Sequence, residues 1–206
     1  MNNLAYNKFG GLMAILAGIA GFLYSLSFII VARSSPQLGG TLSALFLLAG
    51  GLLSSAALIA LYKQLEATDA AFALWALVLG VVSALGAAVH GGYDLANALN
   101  PPATNVPSLA DLPNQVDPRG LLTFAAAGLG VLVFSWLIAR SKTMPQNFVY
   151  LGYLLGVLLI IIYLGRLIIL DATSLVIVIP ALLTGFIINP LWYLWLGVQL
   201  RRQSSL

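Results

Sequence analysis

Long apolar runs alternate with short polar breaks along the chain, and this pattern predicts its secondary structure. Crossing a hydrocarbon core of about 30 Å takes about 20 helical residues. Six runs have that length: 9–32, 39–62, 70–93, 120–140, 147–170 and 174–199. They are continuous and rich in Leu, Ala and Gly, whereas strands of a membrane barrel alternate in polarity. We therefore predict an all-α polytopic membrane protein, a bundle of six transmembrane helices that forms one domain over residues 1–206.

The composition agrees with lipid as the main solvent of this chain. Hydrophobic residues make up 61% and charged residues 7% of the sequence, whereas a soluble domain carries about 25% charged residues. The nine basic residues are scattered between apolar runs, so they form no patch for nucleic acid. They favour membrane lipids with anionic headgroups as partners instead.

Two further features limit the function classes. The chain has no cysteine, which excludes disulfides, thiolate metal sites and cysteine nucleophiles. The apolar run that follows Lys8 is longer than the roughly 7–15 apolar residues of a secretory leader and lacks a convincing cleavage site. We predict that it is retained as the first helix.

The basic residues also predict an orientation. With the N-terminus in the cytoplasm, three of them face outward, namely Arg33, Arg119 and Arg166. Six face inward: Lys8, Lys63, Arg140, Lys142, Arg201 and Arg202. Because cytoplasmic segments carry the excess of Lys and Arg, we predict a multi-pass protein with both termini in the cytoplasm and an extracytoplasmic loop over 100–118.

Small residues spaced four apart predict where the helices approach one another. The pairs are Ala14/Gly18, Ala17/Gly21, Gly50/Ser54, Ala126/Gly130 and Gly152/Gly156. We interpret them as contacts within one chain, and a homo-oligomer interface is the alternative.

Two prolines, Pro180 and Pro190, interrupt the last apolar run, and Asn189 places an amide beside the second. Each proline lacks an amide hydrogen and frees the carbonyl four residues earlier. One interpretation is a helix kink whose freed groups are satisfied by neighbouring helices. The other is a broken helix that lines a binding cavity, as in transporters.

The end of the third run carries the candidate site. Tyr93, Asp94 and Asn97 follow His90 by three, four and seven positions, so a helix places all four on one face. The fifth run adds Tyr163 and Arg166 at a similar depth. A charge at that depth is costly unless it is paired or reaches the headgroups. We predict an ion pair between Arg166 and Asp94 and a ligand-binding site of these six residues; interfacial anchoring plus one structural ion pair is the alternative.

His90 is the only histidine, so no conventional zinc site or bis-histidine haem site forms within one chain. We assign no metal and no identified cofactor. Axial ligation of a tetrapyrrole, proton transfer with Asp94 and a structural hydrogen bond stay open for this side chain. Asp117 followed by Pro118 predicts an N-cap with proline at the first position of helix four. The loop before it is a candidate lid over His90.

Nucleotide-binding, metalloprotease, hydrolase and channel-filter motifs are missing from the sequence, so enzyme activity has no support. Two functions rank ahead of a membrane enzyme. The first is binding or transport of a small or lipidic molecule at the outward-facing site, and the second is a structural or accessory subunit of a larger membrane complex.

Several segments together resemble a known group of proteins. They are the run from His90 to Asn97 with Asn100-Pro101-Pro102, Asp117-Pro118-Arg119-Gly120, Tyr163 to Leu167, and Asn189-Pro190-Leu191-Trp192-Tyr193. The set is similar to bacterial multi-helix integral membrane proteins of uncharacterised activity. The resemblance implies a bacterial inner (plasma) membrane and supplies no catalytic residues.

Overall fold

A computed structural model describes residues 3–100 and 116–202, and this part of the chain contains six helices of membrane length and apolar composition. They are α1 (Ala5–Ser34), α2 (Pro36–Leu65), α3 (Ala70–Leu99), α4 (Leu121–Ser141), α5 (Gln146–Ile168) and α6 (Leu175–Arg202). The predicted all-α bundle of six transmembrane helices is confirmed. The spans begin and end within four residues of the predicted positions, except that α3 ends at Leu99 instead of residue 93.

The six helices form a closed ring in which neighbours in sequence are neighbours in space. Helix α1 packs on α2, each following helix packs on the next, and α6 returns to α1. We call the end that holds the start of α1 and the end of α6 the terminal end, and the opposite end the distal end. The end of α3 at Leu99 and the start of α4 at Leu121 belong to the distal end.

Backbones approach closely where glycine faces a neighbouring helix. A Cβ atom added to Gly91 of α3 would lie 2.5 Å from the Leu48 nitrogen of α2. A Cβ on Gly18 of α1 would lie 2.9 Å from the Pro190 oxygen of α6. Because lipid tails are as apolar as the side chains, such close packing supplies much of the association energy in a membrane. The predicted small-residue stretches thus make contacts within the chain.

The two halves of the bundle have different interiors. Large apolar side chains fill the terminal half, where the rings of Phe148 and Trp192 stack with centroids 5.6 Å apart. Other fully buried side chains there are Leu61, Phe134, Leu137 and Leu196. Buried polar side chains occur in both halves: Ser25, Ser27, Ser43, Asp117 and Thr184 in the distal half, and Ser54, Ser135 and Gln199 in the terminal half. The halves therefore differ in their large apolar side chains and in the one buried carboxylate of the described residues, Asp117, which lies at the distal end.

Helix α6 runs through both prolines as one span. A π turn at Thr184–Ile188 separates Pro180 from Pro190, and the Asn189 amide donates to the Thr184 carbonyl five residues earlier. The π turn shifts the hydrogen-bond register by one residue, which accommodates residues that cannot donate. The amide side chain of Asn189 faces Gly21 of α1. The structure therefore favours a continuous, irregular helix over two half-helices.

Asp117 holds the start of α4, although not at the predicted N-cap register. Its carboxylate accepts hydrogen bonds from the Leu122 amide at 2.9 Å, the Thr123 amide at 2.9 Å and the Thr123 hydroxyl at 2.6 Å. Pro118 opens a separate 3-10 turn, Pro118–Gly120, instead of α4. Left-handed backbone at Arg119 and Gly120 breaks the helix there, so the carboxylate bonds farther along. Most of the predicted lid, residues 101–115, lies outside the described residues.

Candidate functional site

Helix α3 continues to Leu99, six residues beyond the predicted end, and carries three candidate residues on successive turns. The Nε2 atom of His90 lies 3.0 Å from the Oδ2 atom of Asp94, four residues later. That spacing places the two side chains one above the other on a helix. Both are partly exposed, with 24% of the His90 side chain and 38% of the Asp94 side chain accessible. Part of the pair therefore lies at the protein surface.

Arg166 does not form the predicted ion pair with Asp94. Among the described residues, the Asp94 carboxylate pairs with His90 instead, because that partner stands on the same helix one turn away. The Arg166 guanidinium lies over the ring of Phe124, with 5.3 Å between its central carbon and the ring centroid. Such a cation–π contact stabilises a cation without neutralising its charge. Arg166 therefore remains a positive group in the distal half.

Tyr24 of α1 lies within electrostatic range of both Arg166 and Asp94, and it was not among the predicted site residues. Its side chain is partly buried, and its ring stacks on that of Phe28 with centroids 5.8 Å apart. Three polar residues close together in an otherwise apolar helix, Tyr24, Ser25 and Ser27, were the signal available in the sequence.

The remaining candidates lie in different surroundings. Tyr93 is 42% exposed on the outer surface of α3, so it lies away from the interior. Tyr163 is partly buried on α5, one turn before Arg166. Asn97 is partly buried near the distal end of α3. We define the distal cluster as the five residues Tyr24, His90, Asp94, Asn97 and Arg166.

Three buried polar atoms in the distal half have no hydrogen-bond partner within the described residues. They are Nδ1 of His90, Nδ2 of Asn97 and Oγ1 of Thr184. A buried polar group without a partner costs about 1–3 kcal/mol. When neutral His90 donates from Nε2 to Asp94, its Nδ1 atom is an acceptor, while the Asn97 amide is a donor. These atoms can therefore hydrogen-bond a molecule that enters the cluster.

The helices around the distal cluster are irregular. Three π turns occur in the described residues, at Ser27–Val31 in α1, Leu121–Ala126 in α4 and Thr184–Ile188 in α6. All three lie in the distal half of their helices. A π turn widens the helix locally and often occurs at functional sites. Regular helix is thus interrupted where the polar side chains gather.

No family model, curated protein or solved structure matches this chain. The resemblance to bacterial multi-helix membrane proteins stays a prediction. The function of this multi-pass, all-α protein must therefore be inferred from its own residues.

Proposed function

We propose that this protein binds, and moves or presents within the membrane, a small or lipidic molecule that carries an anionic group. The binding site is the distal cluster. The observation that carries the proposal is the combination of the Arg166 cation, which no described carboxylate pairs with, and the buried, unpartnered ring nitrogen of His90.

The chemistry of the cluster defines the ligand class. A guanidinium presents up to five donors in a planar fork that matches a carboxylate or a phosphate. Asp94 already accepts from His90, so an anionic ligand would complete the charge balance at Arg166. A ligand hydroxyl would satisfy Nδ1 of His90. A charge near the membrane boundary is costly without a partner, which favours occupancy by such a molecule.

Ligand retention tests this proposal. The chain is extracted in a mild detergent and its bound molecules are identified by native mass spectrometry. We expect one small molecule per chain, retained about tenfold or more weakly after His90→Ala, Asp94→Asn or Arg166→Gln, because each change removes a hydrogen bond to a charged group. Arg33→Gln is the matched control, since it removes an exposed cation of the distal end.

Two results would contradict binding. Equal retention by all three variants would remove the distal cluster as the site. Isolation of the chain without a small molecule, but in a stable complex with a second membrane protein, would support the accessory-subunit function instead.

We also propose that the protein resides in a bacterial inner membrane with both termini in the cytoplasm. The support is the excess of Lys and Arg at the terminal end, where six of the nine basic residues lie. In this orientation the distal cluster opens to the extracytoplasmic side.

Cysteine labelling tests the orientation, and the chain suits it because it has no native cysteine. Ser34→Cys marks an exposed position at the distal end, and Ala67→Cys marks one at the terminal end. In intact cells, a membrane-impermeant maleimide should label the first variant fully. The second should react only after permeabilisation. The reverse pattern would invert the proposed orientation.

A further inference from the structure

A groove of about 250 Å³ lies between α3 and α4 near the terminal end, away from the distal cluster. Its walls are the apolar and aromatic side chains of Phe72, Leu132, Val133 and Trp136. The rings of Phe72 and Trp136 meet edge to face, with centroids 5.0 Å apart. These two side chains are 44% and 36% exposed. The groove is therefore an aromatic recess on the surface that faces the membrane.

An ion pair lies at the terminal edge of this groove and joins the same two helices. Arg140 of α4 contacts Asp69, the N-cap of α3, with 3.4 Å between Nη1 and Oδ2. The Arg140 guanidinium also lies over the Trp136 ring, with its central carbon 4.6 Å from the ring centroid. The Asp69 carboxylate accepts a hydrogen bond from the Phe72 amide at 3.3 Å. Each charge is thus held beside one of the two aromatic residues that line the groove.

Both charges of the ion pair are accessible from outside the protein. The exposed fraction is 47% for the Arg140 side chain and 27% for the Asp69 side chain. A guanidinium has five donors, and within the described residues one of them meets Asp69. A carboxylate offers about four lone-pair positions, of which the Phe72 amide and Arg140 use two. Both groups can therefore form further hydrogen bonds with a molecule at the surface.

Charged, aromatic and aliphatic groups follow one another with depth in the membrane. Asp69 directly precedes the first residue of α3, so the ion pair lies at the membrane boundary. Trp136 and Leu132 come four and eight residues before Arg140 on α4, which places them about 6 and 12 Å deeper at about 1.5 Å per residue. Aromatic rings commonly lie at the level of the headgroups. The order of groups therefore matches a phospholipid, with the headgroup at the boundary and an acyl chain below it.

We propose that this groove binds a zwitterionic phospholipid whose headgroup carries a primary ammonium, as in ethanolamine lipids. The phosphate lies against Arg140, the ammonium lies against Asp69, and one acyl chain packs along Phe72 and Trp136. An anionic lipid would satisfy Arg140 but bring a second negative charge beside Asp69. A choline headgroup would match both charges, but its trimethylammonium has no hydrogen to donate to the carboxylate. An ammonium and a phosphate on one lipid complement both halves of the ion pair.

Lipid titration followed by native mass spectrometry tests the assignment. The full chain in mild detergent is titrated separately with palmitoyl-oleoyl phosphatidylethanolamine and with the matching phosphatidylcholine and phosphatidylglycerol. We expect the ethanolamine lipid to bind about fivefold more tightly than either of the others, the upper range for an exposed ion pair. Equal affinities for the three lipids, or a preference for one of the other two, would overturn the proposal.

Two charge variants identify which part of the headgroup each residue holds. Arg140→Gln should weaken binding of the ethanolamine lipid about fivefold. Asp69→Asn keeps a side chain that caps α3, and it should abolish the preference over phosphatidylglycerol, since the remaining cation attracts an anionic headgroup. An unchanged preference in Asp69→Asn would contradict the assignment. An equal loss of all three lipids in both variants, the result of a merely structural ion pair, would contradict it as well.

The second ion pair at the terminal end supplies the matched control. Lys63 and Glu66 pair at 3.0 Å within one helix, and both are exposed to a similar degree. The double variant Lys63→Gln, Glu66→Gln should keep the preference for the ethanolamine lipid. Lys142→Gln removes an exposed cation two residues after Arg140 and should keep it too. Loss of the preference in either control would show that the headgroup lies elsewhere.

An aromatic variant tests the position of the acyl chain. Phe72→Ala keeps both charges and should weaken binding of the ethanolamine lipid about threefold, the value of roughly 25 Å² of apolar surface. Phe9→Ala removes an exposed ring on α1 and should leave the affinity unchanged. Equal affinities of these two variants would show that the acyl chain does not pack in the groove.

Discussion

Gly51→Ala is expected to lower the free energy of unfolding by about 2–3 kcal/mol, because overpacking a close contact forces the surrounding backbone to move. The added Cβ atom would lie 2.5 Å from the Ala84 oxygen and 2.7 Å from the Ala88 nitrogen of α3. Both are backbone atoms, so no flexible side chain can turn away. The helices α2 and α3 must separate, one turn below His90.

Gly40→Ala is the matched control in the same helix. Nothing lies within 4 Å of a Cβ atom at Gly40, so the added methyl group meets open space. Alanine is the better helix former by about 0.8–1.0 kcal/mol, and this variant should be neutral or slightly stabilised. Equilibrium unfolding in mixed micelles measures both free energies. Equal values for the two variants would show that α2 and α3 are not in backbone contact at Gly51.

Asp117→Ala is expected to lower the free energy of unfolding by roughly 3 kcal/mol, the cost of leaving buried donors without their charged acceptor. The carboxylate is 3% exposed and accepts from the Leu122 amide and from the amide and hydroxyl of Thr123. The π turn at the start of α4 loses its anchor in this variant. The distal end of α4, which carries Phe124 beneath Arg166, should loosen with it. Hydrogen exchange at the Leu122 and Thr123 amides reports this local opening.

Asp171→Ala tests whether the loss of stability in Asp117→Ala arises because the Asp117 carboxylate is buried. Asp171 makes a similar pattern of bonds, accepting from the Thr173 amide at 2.9 Å and the Thr173 hydroxyl at 2.7 Å, but it is exposed. These bonds hold the pKa of the Asp171 carboxyl below its ordinary value of 3.8. Their contribution is thus present at neutral pH and disappears only as the pH falls through that lowered pKa. Because Asp171 is exposed, water can replace the lost hydrogen bonds, so we expect little change in the free energy of unfolding. A loss as large as that of Asp117→Ala would contradict this explanation.

The sequence by itself determined the class of the protein and its local geometry. Apolar length and scarcity of charge predict six helical spans, because a helix satisfies its own backbone in lipid and the continuous apolar runs lack the alternation of barrel strands. The contact between His90 and Asp94 follows from their spacing, since the pitch of one helix sets the distance between residues four apart. The sequence also predicted that Asp117 caps the start of α4, but it did not predict that the carboxylate bonds the amides of Leu122 and Thr123, farther along the chain than an N-cap does.

Contacts between helices were decided by the tertiary structure. The sequence pattern indicated Gly50, which faces Ala20 of α1, but it missed Gly51, which makes the close backbone contact with α3. It paired Arg166 with Asp94, whereas Arg166 lies over Phe124, and Tyr24 of α1 lies within electrostatic range of both charges. Which face of a helix turns inward depends on its rotation about its own axis. When every face of a helix is apolar enough to contact lipid, hydropathy does not indicate which face turns inward. The rotation of the helix is then determined by where small residues fit between neighbouring backbones.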